Sequence, residues 1–382
     1  MNTVQQIPQH NNTKMISFRW FIAQKLLIGI GLITGFFLTG CAFLKPTNFS
    51  TQSDVKQAVL PQEEAPHFQN ALEWWYFTGH LHDVNTQDTF GIEYVFFHFN
   101  PRKKDDYMMV NIAISDPQKD QFLYDYKVQK LDNPLAATLP IELDVSKKQE
   151  VWHIDGQEGI YHLKARMTTH KDAAIDLTTS IDKPIALHDG TGYAIYGEIA
   201  KAGYYSYPRL STKGTMEING EVRTVEGDLW YDRQWDCMGV INRDVAWDWM
   251  SIQFDDPKEE LMLYIVHDYG KEIKVLGGTH LAANGTNTSL GQKDIEVEEL
   301  EFWTSKASKS TYPLKWQVKV PKLGYDVVIN PVMPHQELGI NFTPLLPKMY
   351  YWEGMCRVKG TQNGKPIKGN SYVEITNRKR FE

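Results

Sequence analysis

The sequence predicts an all-β fold built from two tandem antiparallel β-barrels. Three observations carry this: apolar and polar residues alternate in runs of strand length, turn signals separate the runs at close spacing, and no stretch shows a helical period with a cap and a stop. Trp74, Tyr76, Thr78 and His80 alternate with Trp75, Phe77, Gly79 and Leu81, and the polar stretch from Asp83 to Asp88 leads into Phe90 to Phe99. Those two runs form a hairpin. Further hairpins are read around Gly156-Gln157-Glu158-Gly159, around Asn219-Gly220, and around Asp255-Asp256-Pro257. Asn-Gly is the most specific of these signals, because a type I′ turn needs positive φ at both central residues.

Length divides the chain. About 340 residues beyond the leader described below suit two domains better than one, and the joint is expected near residue 240. The expected organisation is residues 1–40 as a leader, 41–65 as a tether, 66–240 as the N-terminal barrel domain and 241–382 as the C-terminal one. Residues Phe43 to Ala65 are Thr, Ser, Gln, Pro and charge without periodicity, which is tether composition.

The leader has Lys14, Arg19 and Lys25, no acidic residue, and an apolar run from Leu26 to Leu38 that ends in Thr39-Gly40-Cys41. A charged start, a short apolar stretch and small residues before a cleavage point are features of a secretory signal. A spanning helix, the competing reading, needs about 20 apolar residues. Leu38-Thr39-Gly40-Cys41 resembles the bacterial lipobox, which implies cleavage before Cys41, lipid on its thiol, membrane attachment through that lipid and a place in the cell envelope. Ala42 after the cysteine implies sorting to the outer membrane, facing the periplasm. Met15 is an alternative start.

The whole chain has 40 Lys+Arg against 47 Asp+Glu, a formal charge of −7. Residues 1–41 remove three cations and no anion, so the mature surface is still more acidic, which argues against nucleic acid as a partner. Aromatic residues are abundant, with 11 Trp, 19 Tyr and 17 Phe available to line a cavity. Besides Cys41 there are Cys237 and Cys356, which export to an oxidising compartment allows to pair and which serve equally well as small buried hydrophobes. No Cys/His cluster has zinc-ligand spacing.

Several stretches together resemble one family. Glu73-Trp74-Trp75-Tyr76-Phe77-Thr78-Gly79-His80-Leu81 is similar to the opening motif of AttH-like proteins and carotenoid 1,2-hydratases. Tyr204-Tyr205-Ser206 through Arg209, Gly227-Asp228-Leu229-Trp230-Tyr231-Asp232-Arg233-Gln234-Trp235, Trp247-Asp248-Trp249 and the closing Tyr351-Trp352-Glu353-Gly354 with Gly360, Gly369, Tyr372 and Glu374 continue it. The resemblance implies that both barrels are lipocalin-like. It also implies a hydrophobic or amphipathic small-molecule ligand, an ABC-type export permease as a partner of some members, and, in the hydratases, an aspartic acid that protonates an alkene.

The element matching that hydratase aspartate is Trp230-Tyr231-Asp232. Alternation puts Trp230, Asp232 and Gln234 on one face and Tyr231 and Arg233 on the other. In an apolar cavity Asp232 would hold its proton and act as general acid, with the Trp230 ring stabilising a developing cation. The plain alternative makes Asp232 an acceptor of backbone or Trp N–H groups that helps to close the barrel. Trp75, Tyr205, Trp247 and Trp249 are the expected ligand-lining residues, with a structural plug as the other reading of Glu73 to Tyr76. His80 and His82 share a strand face, but no third ligand accompanies them, so neither a metal nor any other cofactor is expected. A serine hydrolase is disfavoured: there is no Gly-x-Ser-x-Gly, and no sequence feature sets Ser206 beside a histidine, so Ser206 before Pro208 is read as a barrel edge. The leading functional expectation is a membrane-anchored protein that binds an apolar small molecule. The alternatives are a hydratase-like or cyclase-like enzyme acting on a polyene or terpenoid, and an accessory protein of an ABC-type lipid or lipoprotein export system.

Overall fold

The computed structural model describes residues 57–67, 70–100, 106–170, 172–236, 245–268, 272–341 and 348–376. The leader, Cys41, most of the tether and Cys237 lie outside them. Twelve strands form the first sheet: β1 (Leu72–Asp83), β2 (Thr89–Phe99), β3 (Tyr107–Asp116), β4 (Gln121–Lys130), β5 (Ile141–Asp144), β6 (Val151–Gln157), β7 (Ile160–Arg166), β8 (Ala174–Ile181), β9 (Ala186–Leu187), β10 (Tyr193–Tyr196), β11 (Ala200–Ile218) and β12 (Glu221–Trp235). Ten form the second: β13 (Ala246–Phe254), β14 (Glu260–His267), β15 (Ile273–Leu281), β16 (Asn287–Leu290), β17 (Glu296–Thr304), β18 (Thr311–Val320), β19 (Tyr325–Pro331), β20 (Glu337–Ile340), β21 (Met349–Gln362) and β22 (Lys365–Thr376). Both sheets are antiparallel and curled, and the chain passes from one to the other between Trp235 and Ala246. The all-β, two-barrel expectation holds.

Each expected hairpin is present. Strand β1 pairs with β2, β6 with β7, β11 with β12 and β13 with β14. Asn219 and Gly220 have φ of 53° and 79°, as a type I′ turn requires. Asp125 on the edge strand β4 accepts N–H bonds from Thr168 and Thr169, just past β7, so side chains tie that edge across the barrel.

Each barrel has its own core. Trp75, Phe77, Tyr161, Tyr205 and Tyr231 pack inside the first, and Met250, Ile252, Phe254, Trp316 and Trp352 inside the second. A third apolar cluster joins the outer faces of the two sheets and includes Tyr76, Tyr204, Trp230 and Trp249. This third cluster explains why β1, β11 and β12 are buried on both faces along much of their length.

Ser206 does not lie on an edge. Strand β11 pairs with β12 on one side and with β8 and β9 on the other, and Pro208 falls where the β11–β12 register shifts between Tyr207 and Leu210. A proline without an N–H is accommodated by that irregularity.

Candidate functional site between the barrels

The cavity that contains Asp232 lies between the two sheets, outside both barrel cores. The first sheet contributes Trp74, Tyr76, Phe97, Tyr196, Tyr204, Asp232 and Gln234, and the second Trp247, Trp249, Tyr264, Val266 and Glu374. Its volume is about 70 Å³. A water needs roughly 10–15 Å³ on this measure, so the space takes several waters or the reacting end of a small molecule. Trp74, Phe97, Trp247 and Tyr264 are half-buried and give it an aromatic rim.

Alternation put Asp232 and Gln234 on one face, and that face does line the cavity. The same logic moves Trp75 and Tyr205 to the wrong side: both are fully buried in the first barrel's core, whereas Trp247 and Trp249 line the cavity as expected. Trp230 stands behind Asp232. Its indole N–H donates to Asp232 Oδ1 at 2.5 Å, which makes it a holder of the carboxylate and leaves the cavity walls to other rings.

Three donors converge on Asp232. Besides Trp230, the Ser206 hydroxyl donates to Oδ1 at 2.5 Å and the Tyr204 hydroxyl to Oδ2 at 2.6 Å. Burial raises its pKa to about 6, and the three hydrogen bonds oppose that rise. Trp249 from the second sheet donates to the Tyr204 oxygen at 2.9 Å. The Asp232 carboxylate is therefore held by the first sheet, and the second sheet fixes one of its three donors.

A histidine does sit beside Ser206, contrary to the sequence reading. His188 Nε2 lies 2.8 Å from Ser206 Oγ, and Nδ1 lies 2.8 Å from Thr279 Oγ1 on the second sheet. The order is nevertheless wrong for a nucleophilic serine. Ser206 gives its proton to Asp232, so His188 must donate through Nε2, and Nδ1 meets a hydroxyl where a triad has an acid. Burial lowers the His188 pKa to about 3, so the ring is neutral.

Across the cavity is Glu374, next to Trp249 in the β13–β22 ladder. Burial, together with the negative charges of Asp232 and Asp248, raises its pKa to about 8, against a hydrogen bond with Trp247 that lowers it. Two carboxyls thus face one space with proton affinities on either side of neutrality. In the sequence Glu374 stands only within a closing motif; the signal that could single it out is the alternation Tyr372-x-Glu374, which puts two polar groups on one face of β22.

The AttH-like family profile matches residues 51–378. The chain belongs to the AttH-like family. A candidate AttH from Nitrosomonas europaea superposes with a TM-score of 0.73 at 24% identity, covering 85% of this chain and 98% of that one. Kievitone hydratase from Nectria haematococca gives 0.66 at 19% identity, covering 87% and 98%. At those identities the likeness shows the fold. No curated protein matches the sequence.

The other residues singled out in this AttH-like chain lie away from the cavity. His80 is buried with Nε2 2.9 Å from the Ser371 carbonyl, and His82 pairs with Glu226 at 3.3 Å. Among the described residues no group of three His, Cys, Asp or Glu could hold a metal. Glu73 is buried against Arg233 at 2.5 Å, with His98 at 2.9 Å, and the Arg233 guanidinium lies 4.0 Å over the Trp75 ring. Within the opening motif, Glu73 and Trp75 thus face the first barrel's interior, whereas Trp74 and Tyr76 line the cavity. Cys356 is a free, fully buried thiol in the second core.

Proposed function

We propose that the chain catalyses acid–base addition or removal of water at a carbon–carbon double bond of an apolar small molecule, in the cavity between the barrels. The observation that carries this is the pairing of Asp232 with Glu374 on opposite walls of one aromatic space. Environments that push two carboxyls apart in pKa assign an acid and a base. Glu374 keeps its proton at neutral pH and is the acid; Asp232, held by three donors, is mostly ionised and is the base. This reverses the role that the sequence alone suggested for Asp232.

In the hydration direction the Glu374 O–H breaks as a C–H forms on the alkene, leaving a cation on the neighbouring carbon. Trp74, Trp247 and Trp249 line the same cavity, and ring faces stabilise such a charge. Water attacks the cation and its proton passes to Asp232. Likeness in fold to a hydratase supports the reading, as does an aromatic rim suited to an apolar molecule. Lipid attachment at Cys41 would hold this rim near a bilayer where such molecules dissolve.

The test is incubation with a panel of alkenyl and prenylated aromatic compounds and terpenoids in ¹⁸O-labelled water. Incorporation of ¹⁸O by wild type, lost in both Asp232→Asn and Glu374→Gln, is expected. Ligand binding without incorporation in any protein would leave a binding protein instead.

A further inference from the structure

Beside the cavity, the facing surfaces of the two sheets contain a second set of acidic groups. Tyr76 lines the cavity, and its hydroxyl lies 2.8 Å from Oε2 of Glu353 on β21. It stands directly opposite Asp232 in the β1–β12 ladder, and the charges of Glu353 and Glu374 both act on it. Glu353 is itself the ladder partner of Glu374. From β2 comes Glu93, whose Oε1 accepts the Asn111 side-chain N–H at 2.8 Å.

Tyr76, Glu353, Glu93 and Asn111 are buried and Glu374 is half-buried, and no Lys or Arg pairs with Glu93, Glu353 or Glu374 among the described residues. Glu93 Oε2 and the Tyr372 hydroxyl are enclosed without a hydrogen-bond partner, and the Tyr351 hydroxyl is within reach of the Asn111 side chain. Both of those tyrosines feel the charges of Glu93 and Glu353. Carboxyls this close in a medium of low dielectric, with no cation between them, cannot all ionise. Burial and mutual repulsion therefore keep protons on Glu353 and Glu93. A protonated Glu353 is a donor; when it donates to the Tyr76 oxygen, the Tyr76 proton is free to point at the cavity.

We propose that Tyr76, backed by Glu353, is a proton relay that carries the proton collected by Asp232 back to Glu374 and so closes the catalytic cycle. The inference rests on the acid–base reading above. One O–H bond breaks at Asp232, and its proton travels through cavity water to the Tyr76 oxygen. The Tyr76 proton moves to the Glu374 carboxylate, where one O–H bond forms. Glu353 shares the proton in transit, and its burial keeps it protonated between transfers. No oxidant, reductant or second substrate is needed. Tyr76 is the catalytic residue of this step, and Glu353 is a positioning residue.

Two measurements test it. In infrared spectra at neutral pH, the protonated-carboxyl absorption of wild type, to which Glu93 and Glu374 also contribute, should contain a band that Glu353→Gln removes. Transfer to D₂O should shift that band about tenfold more slowly in Tyr76→Phe, which keeps the ring and loses only the link. With a substrate that turns over, Tyr76→Phe should complete a first turnover at the wild-type rate and then slow by about tenfold or more, giving a burst of one product per chain. The relay is overturned by unchanged exchange in Tyr76→Phe, by a first turnover slowed as much as later ones, or by a stoichiometric metal cation in the purified protein with no protonated-carboxyl band. Should no compound turn over in any variant, the acid–base reading falls, and the exchange measurement still decides whether Tyr76 links Glu353 to the cavity.

Discussion

Tyr204 ties Asp232 of the first barrel to the second: its hydroxyl donates to Asp232 Oδ2 at 2.6 Å and accepts the Trp249 indole N–H at 2.9 Å. The carboxylate at the candidate site is therefore oriented by a contact that neither barrel makes alone.

Removing the Tyr204 hydroxyl takes away one of three donors that stabilise the ionised carboxylate. Tyr204→Phe should raise the Asp232 pKa above its value of about 6, because fewer hydrogen bonds then oppose burial. Carbon-13 NMR of labelled aspartate follows this directly. An unchanged or lower midpoint would contradict the geometry.

Asp232→Asn removes the base and keeps the shape. Catalysis by a positioned acid or base is typically worth about 10²–10⁴-fold, so kcat should fall by that amount while ligand affinity changes only a few-fold. Parallel kinetics and calorimetry separate the two quantities.

The proposed reaction needs Asp232 ionised and Glu374 protonated, with pKa values of about 6 and about 8. The pH profile of kcat/KM should be a bell with limbs near those values. In Glu374→Gln, residual activity should lose the alkaline limb and keep the acid one. Stability carries the same sign: between the unfolded pKa near 4.5 and the folded value of about 8, the folded chain holds a proton on Glu374 that the unfolded chain has released. Urea midpoints should therefore decline from pH 5 to pH 8, and decline less in Glu374→Gln.

Arg233 is fully buried, and its guanidinium bonds Glu73, the Ala65 carbonyl at 2.9 Å and the Glu64 carbonyl at 3.3 Å. Arg233→Met would leave the Glu73 charge without its cation. Breaking one partner out of a buried pair costs about 3–5 kcal/mol, and urea unfolding should show a loss of that order. Adding Glu73→Gln should recover part of it.

Much of the fold was legible in the sequence because strand alternation and turn chemistry act locally. The Asn219-Gly220 turn, the run from Trp74 to Leu81 and the split of Asp232 from Arg233 across a strand follow from neighbours a few residues apart. What alternation leaves open is which face looks where. Trp75 and Tyr76 are both large, aromatic and buried, and only the packing of a second sheet on the first decides that Tyr76 meets the cavity and Trp75 the core.

The same limit explains the candidate site. From sequence, Asp232 is a carboxylate beside an indole; that it bonds Tyr204 and Ser206 and faces Glu374 depends on neighbours 26 to 142 positions away in the chain. The sequence by itself determined the strand order of the hairpins, the family and the identity of one acidic residue. Tertiary structure alone decided that the space lies between the barrels and that a second carboxyl completes it. The physical reason is that local pattern encodes backbone geometry, whereas proton affinity is set by burial and by charges that only folding brings near.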